Sequence, residues 1–179
     1  MAARLTKEKD MEFLVGEMPK VLEKNTIASV LFAGQDQDVF GEEIYAQKLA
    51  PMIKDIGEHW TFLGIFPPIE WSVFFHEAEV TVLPSINSTE AYGILQVESM
   101  TCGTPVISTN LPGVRQPVLV IGMGIVVPPR NAESISASLI EIIDNPNAYG
   151  GNQPEVKNKF STDFIAAQYE ALFKQIIEH

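Results

Sequence analysis

Short apolar runs alternate with longer amphipathic stretches along this chain. Met11, Leu14, Val15, Met18, Val21 and Leu22 recur at helical spacing and predict a helix over residues 8–24, with Pro19 inside it as a local conflict. Residues 28–34 read as a buried strand, and 41–56 as a second helix, again containing a proline, Pro51. A short strand over 60–63 and a helix over 69–78 follow. Trp71, Phe74 and Phe75 fall on the apolar side of that helix and read as core. A strand over 80–83, a helix beginning near Tyr92, and strands over 105–108 and 124–127 come next. A helix over 132–144 stops before Asn145-Pro146. Residues 145–153 are rich in Asn, Gly and Pro and read as a loop. Phe164, Tyr169, Leu172, Phe173, Ile176 and Ile177 then mark a final amphipathic helix. There is no internal repeat and no low-complexity segment.

Strands alternating with helices imply right-handed βαβ units and a parallel sheet. The fold class expected is α/β, Rossmann-like, with helices on both faces. At 179 residues the chain suits one domain, with a core over about 1–145 and a helical tail over about 154–178. Ligands in such folds bind outside the carboxyl ends of the strands. Gly34, Gly64, Ser85 and the loop at 108–110 all follow strand ends, so they should line one edge.

The polar positions at that edge carry the chemistry. Glu90 and Glu98 are separated by seven residues across the expected helix start, which places them on the order of 12 Å apart at helical rise. That is about the span from a sugar hydroxyl, across a diphosphate, to a ribose. Between them the free N–H groups of Tyr92, Gly93 and Ile94 should face the loop. A helix start attracts anions, and Gly93 has no side chain to block a phosphate. The plainer reading makes Glu90 an acid favoured by the helix dipole, Glu98 a solvated helix residue, and Arg4 and Lys9 a solvated surface pair.

The ordered series of segments resembles a known family. The stretch from Glu90 to Glu98 resembles the Glu-x7-Glu motif of retaining glycosyltransferases with the two-domain GT-B fold, specifically glycosyltransferase family 4 (group 1). Arg4-Leu5-Thr6-Lys7-Glu8-Lys9 resembles the family's Gly-Arg-x4-Lys segment. Leu31-Phe32-Ala33-Gly34 resembles its second strand and glycine, and Phe62-Leu63-Gly64-Ile65-Phe66-Pro67 the loop that holds the base. Cys102-Gly103-Thr104-Pro105-Val106-Ile107-Ser108 and Gly122-Met123-Gly124-Ile125-Val126-Val127-Pro128 match two further segments in order. The resemblance runs from Arg4 to about Val127. Three departures stand out: Ala3 replaces the usual glycine, the strand before it is almost absent, and the N-terminal acceptor half is not in this sequence.

The resemblance implies the C-terminal, donor-binding half of a GT-B glycosyltransferase: a single nucleotide-sugar-binding domain, acting without metal and with retention. It implies catalytic roles for Glu90, Arg4 and Lys9. It implies donor binding by Glu98, Tyr92, Gly93, Ile94, Ser85, Gly64, Ile65 and Gly34. Arg4 and Lys9 would hold the diphosphate, Glu90 the sugar hydroxyls and Glu98 the ribose. The implied partners are a nucleotide-diphosphate sugar and the missing N-terminal acceptor domain, and the fragment should be inactive without that domain. Two other readings stay open: half of a GT-B sugar-nucleotide epimerase, or a non-catalytic nucleotide- or protein-binding module.

Charge and composition narrow this further. A net charge of −11 argues against nucleic acid, which demands a basic face. It is compatible with phosphate binding, which depends on the local field. His59, His76 and His179 are scattered, and no metal-ligand spacing is visible. No apolar run reaches the length of a membrane span, and no signal peptide is visible. The single cysteine, Cys102, reads as a small buried hydrophobe and suits a reducing, cytoplasmic setting. Asn87-Ser88-Thr89 is formally a glycosylation acceptor and reads as a chance match.

Overall fold

The structure is a computed structural model that describes residues 1–87 and 89–177; Ser88, Glu178 and His179 lie outside the described residues, and so does the end of the tail expected to reach residue 178. In chain order the elements are α1 (Met11–Lys24), β1 (Val30–Ala33), α2 (Glu43–Ile56), β2 (Trp60–Gly64), α3 (Trp71–Glu77), β3 (Thr81–Leu83) and α4 (Leu95–Thr101). They continue with β4 (Val106–Thr109), α5 (Gln116–Ile121), β5 (Gly124–Val127), α6 (Ala132–Asp144), α7 (Pro146–Tyr149), α8 (Gln153–Phe160) and α9 (Thr162–Ile177). All strand pairs are parallel. β1 pairs with β2, and β4 lies between β3 and β5.

Side chains alternate across each strand and so build two cores. Val30, Phe32, Val82, Ile107 and Val127 pack with α1, α2 and α6 on one face. On the opposite face Val106 packs with Met100, Val118, Ile121, Met123 and Val156, while Ala33 packs with Phe74 and Phe75. The expected α/β architecture, parallel and covered on both sides, is therefore present. Its strands form two sheets. The segment Met1–Ala3 lies along β1, joined to it by an isolated parallel bridge from Ala2 to Ala33.

Several element boundaries differ from the sequence expectation. The first helix starts at Met11, because Asp10 adopts a left-handed conformation (φ 46°) after a 3₁₀ turn over Lys7–Lys9. Pro19 and Pro51 are carried inside continuous helices. The helix expected from Tyr92 starts at Leu95, because Gly93 is left-handed (φ 74°) and breaks the turn. The 145–153 loop contains the helical turn α7 and the start of α8. α5 is an additional short helix. Cys102 is half-buried beside the aromatic cluster, and burial pushes its thiol pKa up.

Candidate functional site

Arg4 is placed by backbone pairing. Ala3 N–H donates to the Ala33 carbonyl (3.0 Å) and Leu5 N–H to the Gln35 carbonyl (2.8 Å), which holds the 3–5 segment against the end of β1. Gly34 makes this approach possible. A Cβ there would lie 1.9 Å from the Ala3 carbonyl oxygen, and its φ of 132° is open only to glycine. The Arg4 side chain is 64% exposed and only loosely paired, at 3.7 Å, with Glu8.

Arg4, Gly34, Ile65 and Glu98 come from four separate segments and line one cavity of about 640 Å³. Trp71, Phe75 and Leu95 supply its apolar wall. Glu98 reaches it from the first turn of α4, is exposed, and takes part in no ion pair among the described residues. Trp71 was expected in the core. It is only partly buried there, held edge-on by Phe66 and Phe74 at ring-centroid distances of 5.5 and 5.8 Å.

Lys9 and Glu90 lie together beyond this cavity. The Lys9 ammonium pairs with the Glu90 carboxylate, and the two side chains are 15% and 17% exposed. The surrounding contacts tie the 3₁₀ turn to the loop after β3. Ile86 N–H donates to the Glu8 carbonyl (3.1 Å), and the Thr89 hydroxyl donates to the Glu8 carboxylate (2.8 Å). A cation and an acid separated by 81 positions thus meet at the carboxyl ends of the strands.

The remaining expected residues fall outside that cavity. Ser85 is buried just past β3; its carbonyl accepts from the Thr109 hydroxyl (2.5 Å), while its own hydroxyl has no partner among the described residues. No backbone carbonyl among the described residues accepts from the N–H groups of Tyr92, Gly93 or Ile94. Gly64 ends β2, and its carbonyl accepts from Gly34 N–H at 2.7 Å. Tyr92, Gly93, Ile94, Ser85 and Gly64 are not on the wall of the cavity that holds Arg4 and Glu98.

Two positioning residues escaped the sequence reading. Gln96 is fully buried, and its Nε2 donates to the carbonyls of Tyr92 and Val114, both at 2.9 Å, fixing the loop before α4. Gly113 lets the following loop press on this one, since a Cβ there would lie 1.8 Å from the Ala91 carbonyl oxygen. A glutamine after the first acid and a Pro-Gly after a strand were the available signals.

The sequence model described as "Glycosyl transferases group 1" matches residues 1–163. An uncharacterized glycosyltransferase of Methanocaldococcus jannaschii is 27% identical over 179 residues, covering 98% of this chain and 44% of that protein. The phosphatidyl-myo-inositol mannosyltransferase of Mycolicibacterium smegmatis is 24% identical over 171 residues, covering 94% and 42%. Among solved structures, a sucrose-phosphate synthase from Thermosynechococcus elongatus is similar with a TM-score of 0.80 and 25% identity, over 98% of this chain and 44% of that one. Anabaena HepE, crystallised with UDP, gives a TM-score of 0.82 at 20% identity, over 97% and 47%. The chain spans less than half the length of each of these proteins.

Proposed function

The chain belongs to the group 1 glycosyl transferases, and from that premise we propose that it is a family 4 donor-binding half that holds a nucleotide-diphosphate sugar. The observation that carries the reading is the convergence of Arg4, Gly34, Ile65 and Glu98 on one cavity at the carboxyl ends of the strands. The UDP and UDP-glucose named with the Anabaena structures support the ligand class.

In this reading Glu98 accepts from the ribose hydroxyls, and Ile65 and Trp71 form the wall against which the base lies. Arg4 and Lys9 neutralise the diphosphate as it departs, so that fixed cations stabilise the developing charge without a metal. Glu90, adjoining Lys9, faces the sugar and its anomeric carbon, which is transferred with retention. The acceptor and the second wall of the cleft belong to a separate N-terminal domain. The apolar side chains of α9 suit contact with it: Tyr169, Phe173 and Ile176 are 58%, 56% and 63% exposed. The 179-residue chain by itself is then a binder and not an efficient transferase.

The test is calorimetric titration of the chain with nucleotide diphosphates and their sugar conjugates, without metal. Binding by the wild type, and a loss of roughly 2–4 kcal/mol on changing both Arg4 and Lys9 to Ala, is expected. In a Trp60→Phe background the remaining tryptophan, Trp71, should change its fluorescence on titration. Equal affinity in wild type and double mutant refutes the assignment, and efficient transfer to an acceptor by this chain alone refutes the half-enzyme reading.

A further inference from the structure

Asp10 carries two local costs and lacks the usual compensation for either. Its φ of 46° puts it in the left-handed region, which a residue other than glycine occupies at a cost unless its side chain bonds locally. It precedes α1, where an aspartate ordinarily accepts from a free N–H of the first turn, and it makes no such bond. The residue is only 6% exposed, and its Oδ2 has no partner among the described residues. A buried acid without a partner is costly in its charged form.

Uncompensated costs of this kind collect at functional positions, and Asp10 adjoins the candidate site. It follows Lys9 and forms the junction between the 3₁₀ turn and α1. Its N–H donates to the Lys7 carbonyl (3.2 Å), and Lys9 N–H donates to the Thr6 carbonyl (3.0 Å). On the helix side the chain is fixed, since Met11, Leu14 and Val15 are buried in the core. On the turn side no residue of Lys7–Lys9 is buried. Stress at Asp10 is therefore taken up by the turn, and the turn carries Lys9 to its pair with Glu90.

Three elements bring charged or titratable groups to the Asp10 carboxyl. α1 brings Glu12, α2 brings Lys48 and Tyr45, and the loop between β5 and α6 brings Arg130. Lys48 is already held by both oxygens of Glu12 at 2.7 Å, so its charge is shared with that acid. Arg130 is exposed and forms no ion pair among the described residues. Burial and Glu12 outweigh the two cations and raise the carboxyl pKa to about 6. A group that exchanges its proton just below neutral pH thus stands one residue from the cation assigned to the diphosphate.

We propose that Asp10 is a positioning residue for Lys9 and takes up a proton when a nucleotide diphosphate binds. The inference rests on the donor-binding reading, from which it takes the ligand and the role of Lys9. A diphosphate drawn to Lys9 brings negative charge toward a carboxyl that is already poorly solvated. It opposes the charged form of Asp10 and not the neutral one, so the proton binds about fivefold more tightly in the complex. By reciprocity the ligand binds about fivefold more weakly once Asp10 has lost its proton. The carboxylate also pulls the turn toward Arg130, so Lys9 is best placed when Asp10 is neutral.

The experiment is isothermal titration of the 179-residue chain and its Asp10→Asn form with UDP, GDP and ADP, continued from about pH 5 to about pH 8 with whichever binds most tightly. Asparagine keeps the shape, is accepted in the left-handed region and stays neutral throughout. Ionisation of the nucleotide is common to both forms and cancels in the ratio of their dissociation constants. That ratio, wild type over Asp10→Asn, should rise about fivefold across the range. At about pH 6.4, titration in two buffers of different ionisation enthalpy should show the wild type taking up about 0.3–0.4 proton more than Asp10→Asn. In Glu12→Gln the rise should begin at lower pH, because one of the two causes that hold the proton is gone. A purely structural role changes affinity by one factor at every pH. A ratio that moves by less than about twofold therefore overturns the proposal, as does equal proton uptake by the two forms. Absence of binding by either form overturns the donor-binding reading and this inference with it, whereas binding with a flat ratio overturns this inference alone.

Discussion

Replacing Glu90 with glutamine should tighten binding of a plain nucleotide diphosphate. Lys9 is held by the Glu90 carboxylate in a largely buried pair. A diphosphate that recruits Lys9 must compete with that carboxylate for the same ammonium. A hydrogen bond to a charged group contributes about 1.5–3 kcal/mol, and a neutral one about 1. Glu90→Gln retains an amide oxygen for Lys9 and so lowers the competition by ~1–2 kcal/mol, which is roughly a 5- to 30-fold fall in Kd. The gain should pass through Lys9. In a Lys9→Met background it should shrink to ~0.5 kcal/mol or less, the repulsion left between an acid and a diphosphate across solvent.

The assay is isothermal titration of the four forms with one nucleotide diphosphate at fixed ionic strength, followed by the same series with its sugar conjugate. With the conjugate the gain should disappear, because Glu90 is assigned to the sugar hydroxyls. Unchanged or weaker binding of the plain nucleotide in Glu90→Gln refutes the competition. An equal gain with and without Lys9 refutes its route.

Gly34→Ala should destabilise the fold by about 2–4 kcal/mol, because the new Cβ meets the Ala3 carbonyl at 1.9 Å and that backbone must move; the midpoint in urea measures it, and a loss below ~0.5 kcal/mol refutes the packing argument. The affinity of the folded mutant for a nucleotide diphosphate should also fall, since Arg4 moves with Ala3. Burial pushes the Asp10 carboxyl pKa from 3.8 up to about 6, so the folded chain binds this proton more tightly than the unfolded one, and stability falls as pH rises through that interval. Asp10→Asn should therefore stabilise by about 1 kcal/mol at pH 7, discounted for solvent contact, and by little at about pH 4; an equal gain at both values refutes the assignment. The Met1 amino group has the opposite linkage. Its pKa lies near 5 in the folded chain and 8.0 in the unfolded one, so stability rises with pH across that window. N-terminal acetylation should flatten the rise, and a slope that survives acetylation refutes the cause.

The parts of the fold legible in the sequence are those where one periodicity persists. Gly124–Val127 and Ala132–Asp144 have the bounds that apolar spacing and the Asn-Pro stop predict. The misplaced parts are short or governed by distant contacts. α5 has six residues, most of them apolar, so it shows no amphipathic period. The start of α4 depends on a left-handed Gly93 and on Gln96 bonding to Tyr92 and Val114. Trp71 was assigned correctly to the apolar side of its helix, but periodicity does not distinguish a packed neighbour from a cavity wall. Arg4 and Glu98 were associated beforehand through the family resemblance, with which the delivery of parallel-strand loops to one edge agrees.

A cavity of about 340 Å³ between Val30 of β1 and Val82 of β3 shares one short piece of chain with the candidate donor cavity. Met1 borders the former, while Ala2, Ala3 and Arg4 border the latter. The position of the Arg4 guanidinium therefore depends on how firmly the three residues before it are held. Here they are held by a single bridge and a few backbone bonds on one side, with Gly34 moulded against Ala3. Positioning of this kind is where small displacements cost most, because a charged donor misplaced by about 1 Å loses much of its stabilisation of the leaving group. Gly34→Ala, which displaces Ala3, should therefore lower the affinity for a nucleotide diphosphate as well as the melting temperature. A change in stability with no change in affinity would mean that the 3₁₀ turn and the loop after β3 already fix Arg4 without help from the sheet.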